Sequence, residues 1–229
     1  MKRVAVLQSN YIPWKGYFDL MSRVDEFIVY DNVQMTNNDW RNRNVIKTAD
    51  GLKWITIPFR HRFGQRIDET EVATSSWARR HWLTLEQNYR SASWFAEYAP
   101  ALKQLYDEMV DERLLSRINC RFLVWICSVL GIRTRLTRSS EYKIEGDRLE
   151  RLVNLCVQAG ATEYLSGPAA KDYLDEKRFA EAGIAVRYMD YSGYPEYPQL
   201  HGAFDHRVSI LDLILNAGPD AFRYMRAAA

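Results

Sequence analysis

The sequence predicts an α/β fold: a mostly parallel Rossmann-like sheet with helices on both faces and a helical insertion. Three observations predict it. Apolar stretches at 3–8 and 26–31 flank an amphipathic segment, as in a βαβ unit. Residues 77–131 carry helical periodicity almost throughout. Beyond Gly131, short apolar stretches and glycine-stopped helices alternate again. No low-complexity linker separates the two strand-rich halves. The expectation is therefore one α/β domain over 1–229, with the insertion at about 77–131.

In chain order, 3–8 and 26–31 are rich in Val, Ile, Leu or aromatic residues and read as buried parallel strands. Residues 17–24 supply the crossover helix between them. KWITIP (53–58) alternates and stops at Pro58, so it reads as a third strand, antiparallel to its neighbour. The segment before it, with Asn-Asp and Ala-Asp-Gly sequences, reads as loop. Helices are expected over 77–89 with Ser76 as cap, over 94–109 with a kink at Pro100, and over 112–130. The remaining expectations are strands at 133–137, 162–166 and 184–190, and helices at 146–159, 171–182 and 209–216. Ser209 is the expected cap of the last helix and Gly218 its stop.

Composition excludes several classes. A chain of 229 residues, 47% hydrophobic, can bury a full core. No apolar run approaches the ~20 residues of a membrane span. Gln8, Asn10 and Lys15 interrupt any signal-peptide core, so the expected location is cytoplasmic. A net charge of +2 is too mild to indicate nucleic acid as partner. Cys120, Cys127 and Cys156 sit in apolar helical settings and read as structural thiols. Four histidines without metal-ligand spacing give no metal site.

Chemistry gathers where strands end. In parallel sheets, ligands bind outside the carboxyl ends of strands. Gln8, Ser9, Asn10, Tyr11, Trp14 and Lys15 follow the first strand. Asp31 closes the second and leads to DWRNRN, Asp39–Asn44. Trp40, Arg41, Asn42 and Arg43, with Lys47 beyond, suit phosphate, sugar hydroxyls or a base; Asn and Asp are equally ordinary turn residues. LSGPAAKDY places Ser166 before a helix start with Lys171 nearby, either an anion site or a capped turn. Tyr191, Tyr194 and Tyr197 offer rings that stack a ligand or cover the sheet.

These motifs resemble the WbqC-like family. LQSNYIPWKGYFDL, VDEFIVYDNVQ, DWRNRNVIK, KWITIPF, ATEYLSGPAAKDYLD and FDHRVSILDLILNAG carry the likeness across nearly the whole chain. One departure is visible: Asn37 and Asn38 stand where the family usually has a basic residue. The family occurs in bacteria beside polysaccharide and modified-sugar biosynthesis genes. The resemblance implies N-acylation, including aminoacylation, of an amino sugar from a thioester donor. No bound cofactor is implied; an acyl-carrier phosphopantetheine or acyl-CoA is the donor. A nucleotide sugar or other small molecule is the substrate, and an acyl carrier protein a partner. Asp31, Asp39 and His206 are the available bases, and Lys15 or loop N–H groups the oxyanion donors. A non-catalytic ligand-binding or scaffold protein in polysaccharide assembly is the alternative. The layout around Pro13 to Tyr17 is also distantly similar to nucleotidyltransferase-type folds. There the segment reads His-x-Gly-His, whereas Trp14 and Tyr17 stand here. The fold relation can outlive that chemistry.

Overall fold

The computed structural model of the chain describes residues 1–225. Five parallel strands form the main sheet: β1 (Arg3–Leu7), β2 (Glu26–Val29), β5 (Arg135–Arg138), β6 (Glu163–Ser166) and β7 (Ala185–Tyr188). Their spatial order is β5-β2-β1-β6-β7, every pair parallel. From β1 the chain moves outward to β2 on one side, and the later strands β6 and β7 extend the other. The order therefore reverses between β1 and β6. Gln8, Asp31 and Ser166 lie at or just beyond the carboxyl ends of β1, β2 and β6, on one edge, as the sequence predicts.

Alternation along each strand gives the sheet two apolar faces. Ala5, Phe27, Val29 and Leu165 join one cluster, packed under α1 (Lys15–Ser22), α2 (Ser76–Tyr89), α3 (Phe95–Glu108), α4 (Leu115–Val129) and α7 (Ile210–Ala217). Val4, Val6, Ile28 and Tyr164 face the other way, against Leu155 and Cys156 of α5 (Arg148–Gln158) and Phe179 of α6 (Glu176–Glu181). Right-handed crossovers account for this split: the chain moves outward from β1 to β2 and β5, then back across the sheet to β6 and β7, so helices of the two directions land on opposite faces.

A second, two-stranded sheet pairs β3 (Arg43–Thr48) with β4 (Gly51–Thr56), antiparallel. The antiparallel expectation for 53–58 holds, but its partner is β3, in the segment expected to be loop. RNVIKT looks polar, yet Asn44 and Lys47 are buried and meet hydrogen-bond partners, so the strand is an inward one. Two further differences are local. The expected helix at 171–182 is a 3-10 turn, Pro168–Asp172, followed by the short α6, whose start Asp175 caps by accepting from Lys177 N at 3.0 Å. Ser76 lies inside α2 rather than capping it, and its hydroxyl pairs with Thr74. The helix α3 runs through Pro100. Gly131, with φ +68°, ends α4 in the left-handed conformation that favours glycine. Among the described residues no helix is long and apolar enough to cross a membrane.

Candidate functional site

The loop from Gln8 to Trp14 is held from several sides. Ser9 N donates to Asp31 Oδ1 at 2.8 Å, and Asp31 Oδ2 accepts from Ser116 Oγ of α4. Asn119 donates to Ser9 Oγ at 3.1 Å and to Arg41 O at 2.8 Å. Tyr11 N reaches Trp40 O at 2.9 Å, while Asn44 Nδ2 bonds both Tyr11 O and Ile12 O. Ser209 Oγ adds a 2.7 Å bond to Ile12 O. Ile12 has φ +38°, an uncommon conformation for a β-branched residue. The surrounding bonds over-determine the loop, which is what such strain requires.

Two clefts flank it. The first, about 440 Å³, opens at the carboxyl ends of β1 and β6, where the strand order reverses. Gln8, Ser166, Gly167 and Tyr191 line it beside apolar walls from Tyr30, Leu149 and Leu152. The second, about 290 Å³, is lined by Asn10, Pro13, Trp14, Trp40, Asn44 and Arg207. The Trp14 ring meets Tyr191 edge-on at 5.1 Å, so these two rings stand between the clefts.

The other sequence-predicted residues are distributed unevenly. Tyr11 is fully buried, its hydroxyl 2.9 Å from His81 Nδ1 and 2.7 Å from Tyr106 Oη. Asp39 accepts from Trp40 N at 2.7 Å and pairs with Arg41 at 3.3 Å. Arg41 also donates to Asn10 Oδ1 at 3.3 Å. Asn42 donates to Ile57 O at 2.9 Å. Arg43 donates to Asn38 and lies over the Trp54 ring at 4.3 Å. Lys47 is turned inward, donating to Gln199 Oε1 at 2.7 Å and to the carbonyls of Gly202 and Ala203. Lys171 is exposed, 5.3 Å from the Tyr188 ring centre.

Burial sets the electrostatics. It raises the Asp31 carboxyl, against hydrogen bonds from Ser116 and Ser9 that pull it down. Lys15 is 3% exposed; Nζ donates to Pro195 O at 3.2 Å and lies 5.1–5.7 Å from the rings of Tyr194, Tyr197 and Phe204. Burial lowers its ammonium to about 8. Burial and the nearby Lys15 charge both lower His206. Its Nδ1 is buried without a hydrogen-bond partner among the described residues. Burial raises the Cys120 thiol to about 11 and Cys127 to about 12, and pushes Cys156 up further.

The WbqC-like protein family matches over residues 8–224. The chain belongs to this family. The matched range begins at Gln8 and includes every residue lining both clefts except Val6 and Leu7. A Mycobacterium tuberculosis relative in strain H37Rv, Uncharacterized protein Rv1507c, is 53% identical over 228 residues, covering 99% of this chain and 98% of its own. No solved structure matches.

In this WbqC-like chain, sequence reading missed several residues that position the site. Asp19 of α1 accepts from Tyr194 Oη at 2.7 Å and pairs with Arg23. Asp212 of α7 accepts from the hydroxyls of Tyr89 and Tyr197, each at 2.7 Å, and from Gln199 at 2.8 Å. The two carboxylates thereby fix the tyrosine loop after β7. The available signal was a carboxylate inside the apolar helix ILDLILNA, where burial demands partners. Arg207 lines the second cleft, whereas its chain neighbour, the predicted His206, lines neither. Ser116 and Asn119 gave no signal, because small polar residues in a helix usually face water.

Proposed function

We propose that this protein is an N-acyltransferase of bacterial polysaccharide or modified-sugar biosynthesis, acting in the cytoplasm on an amino sugar. The observation that carries this reading is the pair of clefts sharing one fixed loop at the strand carboxyl ends. A two-substrate reaction needs two adjoining sites, and holding both reactants removes most of the entropic barrier. The first cleft suits the thioester donor. Its apolar walls fit a pantetheine arm, and Gln8 and Ser166 offer polar contacts for the arm's amides. Acyl-CoA and carrier-protein thioesters share that arm. An amino sugar, free or nucleotide-linked, is the acceptor. Kinship to Rossmann-like and nucleotidyltransferase-type folds belongs to the same proposal; the strand-order reversal supports it.

In the reaction the neutral amine attacks the thioester carbonyl. The C–N bond forms, the C–S bond breaks, the thiol leaves, and the amine gives up a proton. High thiol pKa values argue against a cysteine acyl-enzyme, so attack is direct. His206 is the preferred proton acceptor: it adjoins the cleft residue Arg207 in the chain, and burial and the Lys15 charge lower its pKa, which favours the neutral imidazole. Asp39 is paired with Arg41 and Asp31 is enclosed, which makes both weaker choices. Lys15 is enclosed on Pro195 O and lines neither cleft, so the loop N–H groups are the oxyanion donors of this proposal.

A second reading has its own support. Arg41, Arg43 and Lys47 are engaged within the protein, leaving few free catalytic charges. A ligand-binding or scaffold protein needs none. One experiment separates the two. Purified protein is incubated with acyl-CoA or carrier thioesters and nucleotide amino sugars, and products are read by mass spectrometry. N-acylated sugar that falls about 10²–10⁴-fold in His206→Ala supports the transferase. Thermal stabilisation by these ligands with no product in any combination supports the binding protein.

A further inference from the structure

We propose that the second cleft is a saccharide site in which a pyranose ring stacks on the Trp40 indole. Only the ring's role as acceptor rests on the transferase reading; the site itself stands on geometry. Trp40 is 45% exposed, an unfavourable place for a large apolar ring. It is nonetheless fixed. Its ring lies against Trp54 at 5.3 Å between centres, and the Arg43 guanidinium covers Trp54 at 4.3 Å. Its carbonyl accepts from Tyr11 N of the strained loop. An indole propped at a tilt of 35° against Trp54 and left open to solvent is a preorganised platform.

Trp14 and Pro13 line the same cleft. Gly16 makes room for Trp14: a Cβ there would fall 2.6 Å from Cη2 of the indole. Polar groups at the cleft remain available. Asn10 Oδ1 accepts from Arg41, which leaves the Asn10 amide N–H group as donor, and Arg207 pairs with Asp205 through Nε and Nη2, which leaves Nη1. Asn44 is committed to the loop carbonyls and to Val45 N, so it is wall rather than ligand contact.

The charges decide the class of ligand. Arg207 is held by Asp205 through two bonds, at 3.1 and 2.9 Å, and Arg41 pairs with Asp39. Arg207, the cation that lines the cleft, is thus already matched, as is the neighbouring Arg41, which disfavours phosphate or carboxylate. A neutral ring with one apolar C–H face and hydroxyls around its edge fits an indole wall rimmed by amide and guanidine N–H.

The test is saturation-transfer NMR on the full chain. The probes are methyl glycosides of glucose and galactose and of their 2-amino forms, with adenosine and inorganic phosphate as rivals. Transfer to pyranose C–H protons is expected for at least one glycoside. Trp40→Ala should weaken it about five- to tenfold, and Trp54→Ala, which removes the buttress, by a smaller factor. Val157→Ala, exposed on α5 and lining neither cleft, should leave it unchanged. Both tryptophans are half-exposed, so circular dichroism should report a native fold in each variant. No transfer to any glycoside, binding of adenosine alone, displacement by phosphate, or undiminished transfer in Trp40→Ala each overturns the proposal. Glycoside binding without acyl transfer under any donor would retire the transferase and leave the saccharide site standing; acyl transfer unaffected by Trp40→Ala would do the reverse.

Discussion

Asp31 illustrates how one residue can be prominent in sequence and act inward in the fold. It follows an apolar strand, where a carboxylate gains nothing from burial and must find donors. The donors are Ser9 N and Ser116 Oγ, so the carboxylate fastens the first loop to α4. Asp31→Asn keeps one acceptor and turns an N–H toward the other donor. The expected cost is roughly 1–3 kcal/mol of stability, with turnover or ligand binding of the folded fraction retained. Chemical denaturation beside a ligand-binding assay checks this; unchanged stability with lost turnover would restore Asp31 as base. Lys15 is the second such residue. Its ammonium sits near 8 in the fold against 10.5 for the ordinary group, so the native state binds the proton more weakly than the unfolded chain. Below pH 8 both states are protonated and the burial penalty is complete. As pH climbs from 8 to 10.5 the folded protein sheds the proton first, and the penalty fades. Lys15→Met should therefore be at least as stable as wild type at pH 7. Its advantage should shrink between pH 8 and 10.5, read from melting temperatures. A wild type more stable than Lys15→Met at neutral pH, with no such trend, would contradict the account.

At the scale of elements, the main sheet was legible because its strands are uniformly apolar and its helices stop at glycine. The β3 strand was not, since its buried positions carry Asn44 and Lys47, whose partners Tyr11, Ile12 and Gln199 are distant in sequence. Hydrophobic patterning cannot register a polar residue whose partner lies more than 30 positions away. The split of the expected helix at 171–182 has a similar cause. Local propensity continues through Tyr173, but Asp175 caps a new start. The site was legible in part. Gln8, Ser166, Asn10, Trp14 and Trp40 line the clefts, whereas Tyr11, Asn42 and Lys47 serve packing. An aromatic or amide side chain looks the same in sequence whether it faces a ligand or a backbone carbonyl. The start of α1 gives a sharp test. Gly16→Ala places a methyl against the Trp14 indole, and the ring must swing out of its place. Overpacking of this kind typically costs about 1–3 kcal/mol. The variant should melt lower and lose the binding that depends on the second cleft, while Trp40 keeps its place against Trp54. An unshifted melting point with intact binding would show that the Trp14 position is not set by Gly16.

Across the whole molecule, the two sheets and the helical layer meet at His81. It belongs to α2 and is buried. Its Nε2 lies 3.1 Å from Thr56 O at the end of β4, and its Nδ1 lies 2.9 Å from Tyr11 Oη in the first loop. A carbonyl can only accept, so the proton resides on Nε2 and Nδ1 accepts from Tyr11. Tyr106 of α3 then donates to the same tyrosine oxygen. The chain Tyr106–Tyr11–His81–Thr56 thus ties helix, loop and hairpin together through a neutral imidazole. Burial lowers that imidazole to about 4, against 6.5 for the ordinary group. The unfolded chain takes up the proton near 6.5 and the folded one only near 4. Stability from this group is full above pH 6.5, declines as pH falls, and is lost by about pH 4. His206 is lowered too and contributes with the same sign, so the wild type alone cannot isolate the effect. The difference between wild type and His81→Gln can. Gln retains a donor for Thr56 O and an acceptor for Tyr11, yet does not titrate. The wild-type urea midpoint should fall relative to that of His81→Gln between pH 6.5 and 4. Hydrogen exchange should show the Tyr11 and Ile57 amides, which bond Trp40 O and Asn42 O, opening early in that window. Parallel pH profiles for the two proteins would mean that the imidazole is accessible to protons in the folded state. The coupling between the sheets would then rest on packing alone.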